Sequence, residues 1–352
     1  MSQRISWIDN LKAFTIFTVV AGHMMSCRAF GSEMGCWTYW NLIIPFHMPV
    51  FAALSGWFFK PDAEAGSFLK KKCQGILLPY VVWSILWFFV RPLAELAAEG
   101  NLHPGSIVWQ VRFLLGDGLC RYGWWFLRAL FFCFLLAFAS AKVCRGRMLL
   151  AAFGSCLLLY GLTWGGVVPN MPEKDSLLKG FVYLYPFFWT GYAFRQKEAW
   201  LAAQSKWLLP ASVVVFVVML CFWQKADSFY AMNTSAVEVS GLSGMLLIWK
   251  TCWRYLVGAC GSLFLVLLFA RFCNSGSNRI LTFVGQETLG IYILQSLVYW
   301  NLPSHPLFLE LGNSGNFVLS LLVSLCIVAL ACLVVRLSSK RPALALALWG
   351  KK

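Results

Sequence analysis

Charge is what this sequence has least of. Of its 352 residues only 12% are charged, 60% are hydrophobic, and the mean hydropathy is +0.69. Soluble globular domains carry about a quarter charged residues, so a soluble enzyme or binding module is excluded and a polytopic membrane protein is indicated. Acidic residues are scarcest, 14 against 29 Lys and Arg, for a net charge of +15. That balance alone would suit nucleic acid. The basic residues, however, fall in short clusters between apolar runs, as the positive-inside rule expects, and nucleic acid is not an expected partner. Histidine occurs four times, and the thirteen cysteines form no C-x-x-C and no Cys/His zinc spacing, so no metal is expected. Cysteines inside apolar runs read as small fillers, whereas Cys27 and Cys36 flank a short loop and are candidates for a disulfide. The chain has no internal repeat, no low-complexity tract and no soluble stretch. The first apolar run lacks a small-residue cleavage site and reads as a retained helix.

What is there is a series of apolar runs. Ten spans are expected, over residues 9–29, 41–59, 75–97, 123–141, 147–168, 178–194, 206–223, 255–271, 280–300 and 316–336. Crossing the hydrocarbon takes about 20 apolar residues, which these runs supply. Eighteen Trp and thirty Phe fit interfacial belts and lipid-facing surfaces. With these spans, nineteen Lys and Arg fall on one side and ten on the other, over longer loops. The richer side is cytoplasmic, so both termini are expected inside. The expected fold is therefore all-α, an integral membrane protein of about ten helices forming one domain over residues 1–352. The long loops 98–122 and 224–254 face outward and carry glycines, charges and aromatics suited to a polar ligand.

Polar residues inside such spans are costly to insert, which marks them as candidates for function. The first span carries Asp9, Lys12 and His23. Eleven residues make about three turns plus 20°, so Lys12 and His23 share a face roughly 16 Å apart. Asp9 lies three residues before Lys12, within pairing reach on the same surface. The second span carries His47 between Pro45 and Pro49, at nearly the depth of His23. Those prolines loosen the backbone, as happens where a helix lines a cavity. An imidazole that titrates near neutrality is the usual base for deprotonating a hydroxyl nucleophile. Thr15 and Val19 lie between Lys12 and His23 along the expected route through the first span. Lys70, Lys71 and Lys72 precede the third span, either holding the phosphates of a cytosolic cofactor or marking the inner face. Trp124, Trp125 and Arg128 stand near the top of the fourth span, where aromatics stack on sugar faces or form an interfacial belt.

These motifs, taken together, resemble a known family. Trp7-Ile8-Asp9-Asn10-Leu11-Lys12 with Gly22-His23 is similar to the opening of the membrane-bound acyltransferase 3 family. Phe46-His47-Met48-Pro49-Val50-Phe51 through Leu54-Ser55-Gly56-Trp57 resembles its second-helix motif. The likeness continues at Ile76-Leu77-Leu78-Pro79-Tyr80, Trp124-Trp125-Phe126-Leu127, Tyr185-Pro186-Phe187-Phe188 with Gly191-Tyr192, and Gly285-Gln286-Glu287-Thr288-Leu289-Gly290-Ile291-Tyr292. The resemblance, closest to the fucose 4-O-acetylase-like branch, implies transfer of an acyl group, usually acetyl, from cytosolic acyl-coenzyme A. The implied acceptor is a sugar hydroxyl of a surface polysaccharide or lipid-linked glycan across the bilayer of the cell membrane. It implies His23 as the catalytic imidazole, with Asp9, Lys12 and His47 beside it. Lys70, Lys71 and Lys72 are implied on acetyl-CoA, and Trp124, Trp125, Arg128 and Tyr292 on the acceptor. Three positions depart from the family. Lys12 stands where many members have Arg, and cannot make its bidentate contacts. The Arg-x-x-Arg before the third helix is absent, with the lysine triplet in its place. Gln295 stands where a His is frequent and supplies no base. The alternative is a secondary transporter of a sugar, lipid or organic anion; the paired broken segments that mark transporter sites are not found.

Overall fold

The computed structural model describes residues 5–25, 41–99, 108, 124–164, 180–224, 227, 244–273, 278–301 and 312–351. Among them there is helix and no strand, as follows when apolar segments must satisfy their own backbone groups away from water. In chain order the helices are α1 (Ser6–Met25), α2 (His47–Trp57), α3 (Ala65–Lys72), α4 (Leu78–Glu99), α5 (Trp125–Val143) and α6 (Met148–Trp164). They continue as α7 (Phe181–Gln196), α8 (Glu198–Phe222), α9 (Gly244–Phe272), α10 (Arg279–Gln286), α11 (Thr288–Asn301), α12 (Gly312–Ser338) and α13 (Pro342–Trp349). A π-helical turn, Cys73–Leu77, joins α3 to α4. Each expected run overlaps helix among the described residues, and the run 280–300 is divided between α10 and α11. Five helical stretches among the described residues are long and apolar enough to cross a membrane: Ala65–Val90, Trp125–Val143, Glu198–Phe222, Ile248–Phe272 and Gly315–Ser338. Cys27, Cys36 and most of the two long loops lie outside the described residues.

The chain gathers into two compact units. The first takes residues 1–59 and 183–333. Within it α1 packs against α2, α9, α10 and α11, and α9 against α8 and α2. Trp7, Ile8, Leu11, Phe46, Leu54 and Trp57 are core residues of that unit. Its closest crossing uses two glycines reciprocally. A Cβ on Gly56 of α2 would run into the main-chain carbonyl of Phe188, and one on Gly191 of α7 into that of Ala53. Small residues at such crossings let backbones approach, the usual source of helix adhesion in a bilayer. Both are motif glycines, and this is the packing they permit.

The second unit takes residues 60–182 and 334–352. Glu64 caps α3, accepting from the main-chain N–H of Gly66 at 2.7 Å and of Ser67 at 2.5 Å. Those two bonds hold the Glu64 carboxyl below the usual carboxylate range. The turn from α5 to α6 closes through Arg145 and Gly146, both with positive φ, as Gly146 N–H donates to Ala141 C=O at 3.1 Å. Helix α13 packs on α4 and the π-turn. There Trp83 Nε1–H donates to Leu348 C=O at 3.0 Å, and Gly350 meets the Gly75 backbone.

Candidate active site

Helix α1 is the interior of the first unit. All its residues are buried except Ser6, Lys12, Phe14, Phe17 and His23. Of its polar side chains, Asp9, Asn10, Thr15 and Thr18 are enclosed, while past the first residue Lys12 and His23 are partly exposed. Thr15 and Thr18 turn their hydroxyls back onto α1, donating to Leu11 C=O and Thr15 C=O, both at 2.7 Å. Thr15 is 0% and Val19 2% exposed. The expected open route along that face is therefore filled by packing in this conformation, and a bulky residue at either position would disturb the core.

Lys12 and Asp9 meet as their spacing expects, Nζ to Oδ1 at 3.8 Å. The Lys12 ammonium also lies 5.3 Å from the centre of the Phe58 ring. Asn10 donates to Cys273 C=O at 3.3 Å while its Oδ1 is buried without a partner. Gly285 of α10 sits against the Asp9 main-chain carbonyl, where a Cβ has no room. The Asp9 end of α1 is thus fixed by a backbone-to-backbone approach, the structural reason for a glycine in that motif. Beside this end lies a cavity of about 250 Å³ whose lining includes Trp7, Trp57, Ser205 and Arg271. Its lining also includes Glu198, so the Arg271 cation and a carboxylate share the same aromatic-walled space.

At the other end, His23 Nδ1 lies 2.8 Å from Gln295 Oε1. The Gln295 amide NH2 donates to Ser296 Oγ at 2.9 Å and to Tyr292 C=O at 3.2 Å. The Tyr299 ring lies 5.4 Å from the imidazole, centre to centre. Gln295 is the partner that sequence reasoning set aside because an amide is no base. Its signal was the i, i+3, i+4 spacing of Tyr292, Gln295 and Ser296 on one helical face. Tyr292 enters this network through its main-chain carbonyl; its side chain is buried. His47 is buried, its Nδ1–H donating to Ile43 C=O at 3.0 Å. It belongs to the same unit as His23, and the two interact electrostatically.

The other candidates belong to the second unit. The lysine triplet is the last turn of α3 and leads into the π-turn, within the helical stretch Ala65–Val90. Successive helical side chains diverge by about 100°. Lys70 and Lys71 are exposed, whereas Lys72 turns inward, its ammonium 3.3 Å from the centre of the Phe134 ring. Trp124 is buried at 2% exposure beside Trp83 and Trp87, each with ring centres at 6.3 Å. Trp125 packs against Phe126 and Gly180, and Arg128 is buried. Trp124 is therefore a packing residue in this conformation.

The chain is similar to two proteins named Nodulation protein NolL. The one from Sinorhizobium fredii is 26% identical over 300 residues, 83% of this chain and 77% of that protein. The one from Mesorhizobium japonicum is 23% identical over 306 residues, 83% of this chain and 75% of that protein. No solved structure matches the chain. The family described as an acyltransferase domain matches residues 5–336, which takes in every helix from α1 to most of α12. With that coverage, the chain belongs to the acyltransferase 3 family.

Proposed function

We propose that this acyltransferase moves an acyl group, acetyl foremost, from cytosolic acyl-coenzyme A to a sugar hydroxyl of a cell-surface polysaccharide or lipid-linked glycan. His23 is the general base. It takes the hydroxyl proton as the oxygen attacks the thioester carbonyl; the C–S bond breaks and the thiolate of coenzyme A leaves, to be protonated. The observation that supports this reading most is the placement of His23. It is a partly exposed imidazole on a mostly enclosed helix, held by a side-chain partner.

His23→Ala is expected to abolish acetyl transfer, with coenzyme A release falling about 10²–10⁴-fold, while the protein still inserts. Transfer above half the wild-type rate removes His23 from the mechanism. The proposed sidedness, ten spans with both termini cytoplasmic, has its own test in a cysteine-free background. An impermeant thiol reagent should reach Gln224→Cys from outside and Arg147→Cys only from inside. The reverse pattern inverts the topology.

A further inference from the structure

The hydrogen bonds around His23 determine which of its nitrogens carries the proton. Gln295 places one end of its amide 3.2 Å from Tyr292 C=O. A main-chain carbonyl only accepts, so that end is the NH2 group, and the opposite orientation would set two oxygens against each other. Ser296 agrees with this polarity. Its hydroxyl donates to the same Tyr292 carbonyl at 3.2 Å and accepts from Gln295 at 2.9 Å. With both amide hydrogens directed along α11, Oε1 faces His23 Nδ1 at 2.8 Å. An amide oxygen only accepts, so Nδ1 must carry the hydrogen, and the lone pair of the neutral imidazole lies on Nε2.

We infer that Gln295 is a positioning residue for the proposed reaction: it locks the proton of His23 on Nδ1 and turns Nε2 outward from that bond as the accepting nitrogen. The inference rests on the proposed role of His23 as the base. The lock is a relay of three bonds, imidazole to amide to hydroxyl to backbone, ending on a carbonyl that no side-chain rotation can move. Once Nε2 has taken the substrate proton, Nδ1–H still donates to Oε1, so the imidazolium forms without any group rearranging. Gln295 is 0% and Ser296 3% exposed, so water does not compete for these bonds. The neutral amide fixes geometry while adding no charge. Among the described residues, titratable groups that interact with the imidazole include His47 on α2 and Tyr299 on α11.

The test is nitrogen-15 NMR of the full-length, detergent-solubilised protein labelled at histidine, with the His23 signals identified by their loss in His23→Ala. Wild-type protein should show Nδ1-protonated His23. Gln295→Leu should mix the tautomers and lower kcat at least roughly tenfold with KM little changed, as expected when the base presents the wrong nitrogen. Gln295→Glu, nearly isosteric, should keep the tautomer and most of the rate. Its carboxylate stabilises the imidazolium, so the acid limb of the pH–rate profile should move to higher pH. Nε2-protonated His23 in the wild type overturns the inference, as does Gln295→Leu with unchanged tautomer and kcat. Full activity in His23→Ala would instead remove the base itself, a different result from loss of activity there with an indifferent Gln295.

Discussion

Helices α1 and α8 belong to the same unit and invert the pattern of a soluble protein. Helix α1 carries Asp9, Asn10, Lys12, Thr15, Thr18 and His23, and is nearly all buried. Helix α8 is a membrane-spanning candidate, yet of its 25 residues only Leu201, Leu209, Ser212 and Phe216 are buried. Its exposed side chains include Trp207, Val214 and Phe222. In water that arrangement would be unstable. In a bilayer it is the favourable one, because apolar side chains lose nothing facing lipid tails while polar ones need partners inside the protein. Burial therefore tracks polarity here, and the most enclosed polar helix is where chemistry is proposed.

That comparison breaks most violently where α1 is held by backbone alone. Gly285→Leu would drive a side chain into the Asp9 carbonyl, which cannot yield as a side-chain end can. Overpacking costs about 1–3 kcal/mol or more, so the variant should lose most folded protein in detergent size-exclusion and all transfer activity. Trp207→Ala on α8, a larger deletion at a 78% exposed site, should leave both nearly unchanged. Equal effects from the two would mean that α1 is not the packed centre of its unit.

A smaller effect, of opposite polarity, tests α8. Val214 is 61% exposed near the middle of the apolar stretch. Val214→Lys places on the outer face, with no partner, a charge of the kind that Lys12 carries on α1 beside Asp9. The insertion cost of such a charge is about 2.5–3.5 kcal/mol, so membrane accumulation should fall several-fold, with Val214→Leu as the silent control. Normal accumulation of the lysine variant would show that this face meets water or protein instead of lipid.

The two helices also mark what the sequence could and could not tell. Apolar length located most of the long helices, because a bilayer leaves the backbone no other hydrogen-bonded form compatible with those runs, but not the short α3 and α13 outside them. The Asp9–Lys12 pair was legible because three residues apart on a helix is a local relation. The His23–Gln295 bond joins positions 272 residues apart, which no periodicity encodes. Lys70, Lys71 and Lys72 read as one cluster in the sequence, but helical geometry turns Lys72 to an aromatic ring and its neighbours outward. Thr15 and Val19 look like one side of a passage in a single helix. Only the packing of the other helices around α1 shows that face filled.

The ion pair on α1 should matter least to the fold. Its length of 3.8 Å is at the edge of a direct contact, and the Lys12 side chain is 27% exposed, so water shares its charge. Pairs of that kind contribute about 0–1 kcal/mol. Asp9→Asn keeps the side-chain volume and the contact of Lys12 with the Phe58 ring. The melting temperature in detergent should therefore change by no more than about 4 °C. Activity should fall by a larger factor if Asp9 holds Lys12 for the reaction, and Asp9→Glu should restore part of it. A loss of stability approaching that of Gly285→Leu would reverse the ranking. It would mean that electrostatics, rather than the close approach of α10, fixes the Asp9 end of α1.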